Sequence, residues 1–443
     1  MLVRAREAAC LTQGELAERS GLSVRAIRNL ETGHTARPRK QSLLLLAEAL
    51  GLPAGEAGRL LRLPRTEQRP APAPVPPGTP APHRASASAP PLASAPAELP
   101  AAPRHRLVGR EALVEDLMGH LAHGEPGPGR PAAAVVVGPP GAGKTSLVLR
   151  TAHGVREEFP DGQVFVDLHS ASGLPFTSDS LVRRVLRSLG AAPAAEHPEE
   201  ARAQLRNALS GRRVLVVLDN VDGEAQVRPL LVDDGRSAVL VAARRELPAL
   251  PAQSRHRIGA LDESDAYRAL EDLVGADRVR AQRSAALSIV RSCAGLPLAL
   301  HIAGLWLTAR PHRSLHDLAA RLADERDRLR SLRIGDLSLH ASVRAYHRLL
   351  PPPLRTALRQ LEPLEGDFGL EEMTARVTPS RRLAMDLLEE LLHRQMIHPT
   401  DHPHRLAAPR YRLYDAVRLY MTHDTASPEA RSAALEAPAA LHV

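Results

Sequence analysis

Gly138-Pro-Pro-Gly-Ala-Gly-Lys144-Thr145 is the stretch that decides the fold of this 443-residue chain. It matches the pattern G-x-x-x-x-G-K-[ST] without a gap, directly after the apolar run 132–137 and before the helical run 146–151. In a strand, loop and helix of this kind, the glycines allow successive backbone N–H groups to turn towards phosphate groups. The sequence therefore predicts a phosphate-binding loop formed by Gly138, Pro139, Pro140, Gly141, Ala142, Gly143, Lys144, Thr145 and Ser146.

Lys144 and Thr145 carry the charge and the hydroxyl group of this loop. Lys40 and Lys144 are the two lysines among 58 basic residues, which indicates that a compact ammonium group is needed at Lys144. We expect Lys144 to contact the β- and γ-phosphates of a nucleotide and to act in catalysis. Thr145 is the expected ligand of Mg²⁺.

Arg213-Val-Leu-Val-Val-Leu-Asp219-Asn220 is a second apolar run, and it ends in an acid. A carboxylate in this place lies across the sheet from the phosphate-binding loop, so Asp219 is predicted to hold Mg²⁺ and to act in catalysis. An ATPase that turns over quickly usually has a second carboxylate beside this one. Here the neighbour is Asn220, whose amide is a poor base, and we expect slow hydrolysis or none.

Short apolar runs alternate with helical stretches through the centre of the chain. Residues 132–137, 164–166, 214–218 and 239–242 are predicted to be strands, and stretches such as 181–189 are predicted to be helices. This alternation is typical of an α/β domain with a parallel sheet.

The pattern after residue 262 is helical. Amphipathic helices between 339 and 423 lead to two short runs, 396–398 and 411–413, which suit the small hairpin of a winged helix. The predicted fold is therefore multidomain, with an all-α helix-turn-helix domain, an α/β P-loop NTPase domain, an all-α subdomain and a winged-helix domain. The predicted boundaries are 1–64 for the first, 65–103 for a linker, 104–261 for the P-loop domain, 262–337 for the helical subdomain, 338–425 for the winged helix and 426–443 for a tail.

The linker is predicted from composition. Residues 70–103 contain 12 prolines in 34 residues, and most of the others are alanine, serine or glycine. Such a stretch cannot bury a core and favours polyproline II, so we expect 65–103 to be disordered.

The composition of the whole chain limits its class. The formal net charge of +8 suits a partner with negative charge, and 44% hydrophobic with 2% aromatic residues favours cores of Leu, Ala and Val. Cys10 and Cys293 lie far apart and outside any metal-binding spacing, which fits a reducing cytosol. With no signal peptide, membrane span or repeat evident, we expect a cytoplasmic, nucleoid-associated protein without a membrane partner or an attached repeat sensor.

Residues 11–33 favour two short helices joined at Gly21, with Ser23 as the N-cap of the second. Over residues 2–64 this module resembles the Cro/repressor-type helix-turn-helix, although Cys10 stands where that family usually has a glycine. The resemblance implies double-stranded DNA as a partner, with the second helix in the major groove. The implied DNA-binding residues are Gln13, Ser23, Arg25, Arg28, Asn29, Arg37, Arg39 and Lys40. A solvated basic face, or a module that binds protein, is the alternative.

Residues 104–423 resemble the NB-ARC domain of the STAND class of switch ATPases, in the form found in actinobacterial regulators. The resemblance is carried by the phosphate-binding loop, the run that ends in Asp219, and the segments 107–110, 159–168, 240–245 and 295–299. It implies that the nucleotide is ADP or ATP, that Val108, Gly109, Arg110 and Pro297 contact it, and that Arg244 senses its phosphate. A helix-capping Arg244 and a merely helix-breaking Pro297 are the alternatives.

Two departures from the family pattern affect the predicted site. Ala242-Ala243-Arg244 replaces a segment that usually has hydroxyl side chains. Tyr414 stands in the position of a family histidine that contacts the β-phosphate of ADP. We therefore predict that Tyr414 contacts the nucleotide, with packing in the core of the winged helix as the alternative.

Together these features predict a DNA-binding transcription regulator that is switched by ADP and ATP and that self-associates in the ATP state. A STAND-class signalling or defence ATPase, which oligomerises to recruit a partner while DNA binding is secondary, is the alternative. An autonomous metabolic ATPase is a third possibility, but Asn220 and the lack of a substrate domain are arguments against it.

Overall fold

The computed structural model describes residues 95–123, 132–168, 176–191, 197–231, 236–364, 366–400 and 408–425, together with Leu16, Ser20 and Leu50. The chain forms two compact units, 1–88 and 89–443. In the first unit Leu16 and Ser20 are buried and helical, and the Ser20 hydroxyl donates a hydrogen bond to the carbonyl of Leu16 at 2.6 Å. The predicted DNA-binding residues all lie outside the described residues: Gln13, Ser23, Arg25, Arg28, Asn29, Arg37, Arg39 and Lys40.

A five-stranded parallel sheet forms the centre of the second unit. Its strands are β1 (Ala132–Val137), β2 (Gly162–Asp167), β3 (Val214–Val221), β4 (Ala238–Ala243) and β5 (Ser254–Arg257), in the order β2-β3-β4-β1-β5. The helices of this part are α1 (Glu111–His123), α2 (Lys144–Gly154), α3 (Ser178–Ser188), α4 (Pro198–Leu209) and α5 (Glu224–Val227). The predicted α/β fold with a parallel sheet is confirmed.

The central strands are apolar because the sheet is covered on both faces. Val164 and Val216 belong to one hydrophobic cluster, and Ala134 and Val136 belong to a second that includes Leu147 of α2. Strand β5 was not predicted. Its sequence Ser-Arg-His-Arg has no apolar run, which an edge strand, paired on one side to β1, does not need.

Helices dominate the rest of the unit, as predicted. They are α6 (Glu263–Val274), α7 (Ala276–Ala281), α8 (Arg283–Ser292), α9 (Pro297–Thr308), α10 (Leu315–Ala323), α11 (Glu325–Ser331), α12 (Leu339–His347), α13 (Pro352–Leu361), α14 (Leu370–Arg376), α15 (Arg381–His393) and α16 (Asp415–Thr425). A short hairpin of β6 (Arg333–Ile334) and β7 (Leu337–Ser338) precedes α12, and β8 (Ile397–Pro399) pairs antiparallel with β9 (Tyr411–Leu413). One hydrophobic cluster runs from Ala266 to Met421, so the two predicted helical domains share a core.

The sequence predicts a linker that extends to residue 103, and this boundary is wrong. Residues 95–103 are described and pack on the sheet domain, where Ala97 forms a parallel bridge with Gln163. Glu98 pairs with Arg184 at 2.8 Å, and the carbonyl of Pro103 accepts a hydrogen bond from Arg150. Proline content concealed these contacts because an edge bridge needs few backbone donors.

In the described residues, no helix has the length and apolar character needed to cross a membrane.

Gly295 and Gly211 provide a matched test of backbone crowding. Both have a left-handed backbone, with φ of 63° and 72°. A Cβ atom on Gly295 would lie 2.2 Å from the carbonyl oxygen of Leu261, whereas one on Gly211 would meet nothing within 4 Å. We predict that Gly295→Ala lowers the free energy of unfolding by about 1–3 kcal/mol more than Gly211→Ala does, because the backbone must shift. Denaturant unfolding of both variants checks this, and equal losses would contradict it.

Candidate functional site

The phosphate-binding loop joins β1 to α2 and rests on the start of α9. Gly141 and Gly143 have φ of 81° and 89°, a conformation that glycine adopts without strain. The amide of Leu298 donates a hydrogen bond to the carbonyl of Gly141 at 3.1 Å, and a side chain on Gly143 would touch Pro297. The loop and the predicted nucleotide-contacting proline are therefore directly packed together.

Lys144 lies inside this loop. Its Nζ donates hydrogen bonds to the carbonyl oxygens of Gly138 and Pro139, both at 2.9 Å. Burial lowers the pKa of Lys144 to about 7, with Asp219 opposing the shift and Arg244 adding to it. The ammonium group is thus held by neutral carbonyls in a position where an anion would stabilise its charge.

Asp219 and Thr145, the two predicted ligands of Mg²⁺, lie side by side in the structure. The Thr145 hydroxyl donates a hydrogen bond to Oδ2 of Asp219 at 2.8 Å. Burial raises the pKa of the Asp219 carboxyl group, and the hydrogen bond from Thr145 opposes that shift. A hydroxyl and a carboxylate oxygen side by side are oxygen ligands of the kind that Mg²⁺ prefers, so the pair fits the predicted metal.

A bulge in β3 contains Asp219 and Asn220. Leu218 pairs with Val241 and Val221 pairs with Ala243, so two residues of β3 face one residue of β4. Asn220 has φ of 61°, a left-handed conformation that asparagine tolerates better than most residues. The bulge interrupts the pairing of β3 with β4 at these two polar residues, near the carboxyl end of β3.

Asn220 holds Arg244 in place. Its amide nitrogen donates to Oδ1 of Asp167 at 2.8 Å, and its amide oxygen accepts from Nε of Arg244 at 3.1 Å. Arg244, the predicted phosphate sensor, is buried directly after β4. In the sequence Asn220 is recognisable only as a poor base, whereas in the structure it positions Arg244.

A cavity of about 720 Å³ lies between the loop, the segment before α1, and helices α6, α9 and α12. Arg110, which lines it, also donates to the carbonyl of Gly259 at 2.7 Å. The predicted nucleotide-binding residues that line this cavity are Val108, Arg110, Gly141, Ala142, Gly143, Lys144, Thr145, Ser146 and Pro297. Gly109, Gly138, Pro139, Pro140, Asp219 and Arg244 belong to the adjoining segments without lining it.

Tyr414 lies outside the lining of this cavity. It is half-buried in the core beside the β8–β9 hairpin, and its ring centroid is 4.8 Å from that of His398. Burial raises the pKa of its phenol, and Arg257 opposes that shift. Tyr414 is not among the residues that line the cavity, and its contact with the nucleotide stays a prediction.

Three aromatic residues line the cavity, and none of them was predicted to do so. The rings of His105 and His301 lie 4.8 Å apart at its wall, and burial lowers the pKa of both. Tyr346 of α12 also lines it, with its ring centroid 5.0 Å from Nζ of Lys144. In the sequence, Tyr346 has the spacing of an ordinary core residue of an amphipathic helix, and nothing distinguishes it from one.

Family models match both predicted parts of the chain. A helix-turn-helix model matches residues 2–56, and an AAA domain model matches residues 129–231. The chain joins a helix-turn-helix to a P-loop ATPase domain.

Two curated relatives are similar to most of the chain. The regulatory proteins AfsR of Streptomyces griseus and Streptomyces coelicolor are each 38% identical to it, over 329 and 354 residues. The matches cover 73% and 77% of this chain but 33% and 35% of the relatives, so the chain spans about a third of their length. A Walker-type ATPase of Pyrococcus abyssi is 14% identical with a TM-score of 0.48, covering 73% of this chain and 98% of that one.

Lys144 allows a direct test of the site. Replacing it by alanine removes the cation that would neutralise phosphate, and replacing it by arginine puts a wider group into the loop. We expect either variant to weaken ADP binding at least about a hundredfold, as measured by calorimetry. Lys40→Ala, which changes the other lysine of the chain, is the control and should bind as the wild type does. ADP retained by purified Lys144→Ala would contradict the assignment.

Proposed function

We propose that this chain is a DNA-binding transcription regulator whose P-loop domain binds ADP or ATP with Mg²⁺ and acts as a switch. The observation that carries the proposal is the meeting of Lys144, Thr145 and Asp219 at one end of the sheet, in a chain that begins with a helix-turn-helix match. As a DNA-binding regulator it would act in the cytoplasm, at the nucleoid.

The charge and shape of the cavity support the nucleotide. Arg104, Arg106, Arg110 and Lys144 line it, and Asp272 is the one carboxylate among its described lining residues. Apolar side chains such as Val108 and Leu273 would suit a purine base, and the cations would suit its phosphates. Mg²⁺ held by Thr145 and Asp219 would neutralise charge on the phosphates.

Hydrolysis is expected to be slow. A general base must reach the attacking water, and the amide of Asn220 is already bonded to Asp167 and Arg244. A nucleotide that persists after binding suits a switch better than a motor.

The route from nucleotide to DNA is proposed to be assembly. The ADP form would keep copies of the chain apart, and ATP would promote self-association. Several DNA-binding modules on one assembly bind DNA more tightly than one alone, because their effective concentration rises. Sedimentation of the full chain with ADP or a non-hydrolysable ATP analogue, with and without DNA, tests this. Unchanged mass and unchanged DNA affinity in the two states would overturn the switch while leaving nucleotide binding intact.

DNA reading can be tested at two residues of the helix-turn-helix match. Arg25 is predicted to face base edges and Lys40 to bind the backbone. We expect Arg25→Ala to reduce discrimination between specific and random DNA by about 1–3 kcal/mol, because a bidentate arginine selects guanine. Lys40→Ala should weaken binding to all sequences alike and lower its salt dependence.

Sites bound by the protein in genomic DNA would supply the specific sequence, and competition binding at two salt concentrations would then separate the variants. An equal loss on all sequences for Arg25→Ala would refute its base-reading role. Many weak sites in place of a few sharp ones would favour the signalling ATPase.

A further inference from the structure

One face of α12 lies along the phosphate-binding loop. Leu339, Ser342 and Tyr346 are three and four residues apart, so they form one stripe on the helix. A Cβ atom on Gly141 would lie 3.1 Å from Cδ1 of Leu339, and Ser342 and Tyr346 line the cavity. The first helix after the β6–β7 hairpin therefore rests directly on the loop.

The ring of Tyr346 faces both cations of the site. Its centroid is 5.0 Å from Nζ of Lys144 and 5.4 Å from Cζ of Arg244, within the range of a cation–π interaction. The side chain is buried, with 7% of the residue exposed. Burial raises the pKa of its phenol, so the ring is neutral and adds no compensating charge.

This arrangement limits what can approach the two cations together. A phosphate oxygen lies about 2.8 Å from an ammonium nitrogen that donates to it and roughly 3.3 Å from the atoms of a ring that it contacts. An oxygen between the nitrogen and the ring therefore needs about 6 Å of separation between them. The ring centroid is only 5.0 Å from Nζ. No phosphate oxygen fits between Lys144 and the ring face, and the same ring covers Arg244.

We propose that Tyr346, in the position that it has in this structure, makes the site selective for a nucleoside diphosphate, because its ring occupies space that a γ-phosphate shared by Lys144 and Arg244 would need. This inference rests on the proposed nucleotide binding. A diphosphate is held by the loop and leaves the ring in place. A triphosphate requires the ring to move.

Movement of Tyr346 would be transmitted through its own helix. The adjacent His347 of α12 has its ring centroid 5.1 Å from that of Tyr420 on α16, and His340 is 5.2 Å from the same tyrosine. Helices α12 and α16 belong to one hydrophobic cluster, so α12 cannot shift alone. A shift of α12 therefore also disturbs α16.

The test is the ratio of affinities for ADP and a non-hydrolysable ATP analogue, measured on the full chain with Mg²⁺. We expect the wild type to prefer ADP. Tyr346→Ala should shift the ratio towards the analogue by at least about tenfold, whereas Tyr346→Phe, which keeps the ring, should retain the wild-type ratio. A general loss of stability would weaken both ligands and leave the ratio unchanged.

Arg344→Ala is the matched control, because it changes an exposed side chain of the same helix that does not line the cavity. It should keep the wild-type ratio. An unchanged ratio in Tyr346→Ala, or an equal shift in Arg344→Ala, would overturn the inference while nucleotide binding stands. A wild type that binds neither nucleotide would overturn the proposed function, and the inference with it.

A second measurement uses the wild type and does not depend on the folding of Tyr346→Ala. Hydroxyl-radical labelling, read by mass spectrometry, reports the exposure of individual tyrosines. Labelling of Tyr346 should rise with the ATP analogue and stay low with ADP. Equal labelling in the two states would contradict displacement of the ring.

Discussion

Lys144 and Arg244 place two positive charges inside the protein, beside the buried carboxylate of Asp219. Charges removed from water are costly unless hydrogen bonds and opposite charges surround them. The carbonyls of Gly138 and Pro139 hold one cation, and the amide oxygen of Asn220 holds the other. Much of the site is arranged to meet this requirement.

The bulge in β3 follows from the same requirement. With an extra residue opposite Ala242, β3 departs from the strict alternation of side chains between the two apolar faces of the sheet. Asp219 bonds to Thr145 of the loop, and Asn220 bonds to Arg244. The left-handed backbone of Asn220 is the local strain that this solution carries. Strain of this kind is expected where a side chain must be aimed at a ligand.

How much the sequence could predict depends on whether a feature is local. The loop, the four apolar strands and Asp219 were all predictable, because each has a pattern in a few consecutive residues. Strand β5 has no apolar pattern, and the packing of 95–103 is concealed by proline composition. These features depend on partners that are distant in the chain, and no short pattern records such partners.

Tyr414 and Tyr346 show this limit within the candidate site. Tyr414 was selected from its place in a motif, and it packs beside the hairpin, next to His398. Tyr346 has the spacing of a core residue, and only the folding of α12 onto the loop brings it to Lys144. A motif marks the sequence position at which related proteins contact the nucleotide. It does not show which residue of this chain folding brings to the nucleotide site.

A nucleotide can shift a conformational equilibrium only by its differential affinity for the two states. In this protein the difference in affinity can arise where α9 and α12 contact the phosphate-binding loop, because both helices rest on the loop that would hold the phosphates. Contacts through Gly141 are compatible with any nucleotide that the loop accepts. Contacts through Tyr346 depend on how many phosphates must reach the two cations. The first set therefore contributes affinity common to both nucleotides, and the second set is where a difference between them can arise.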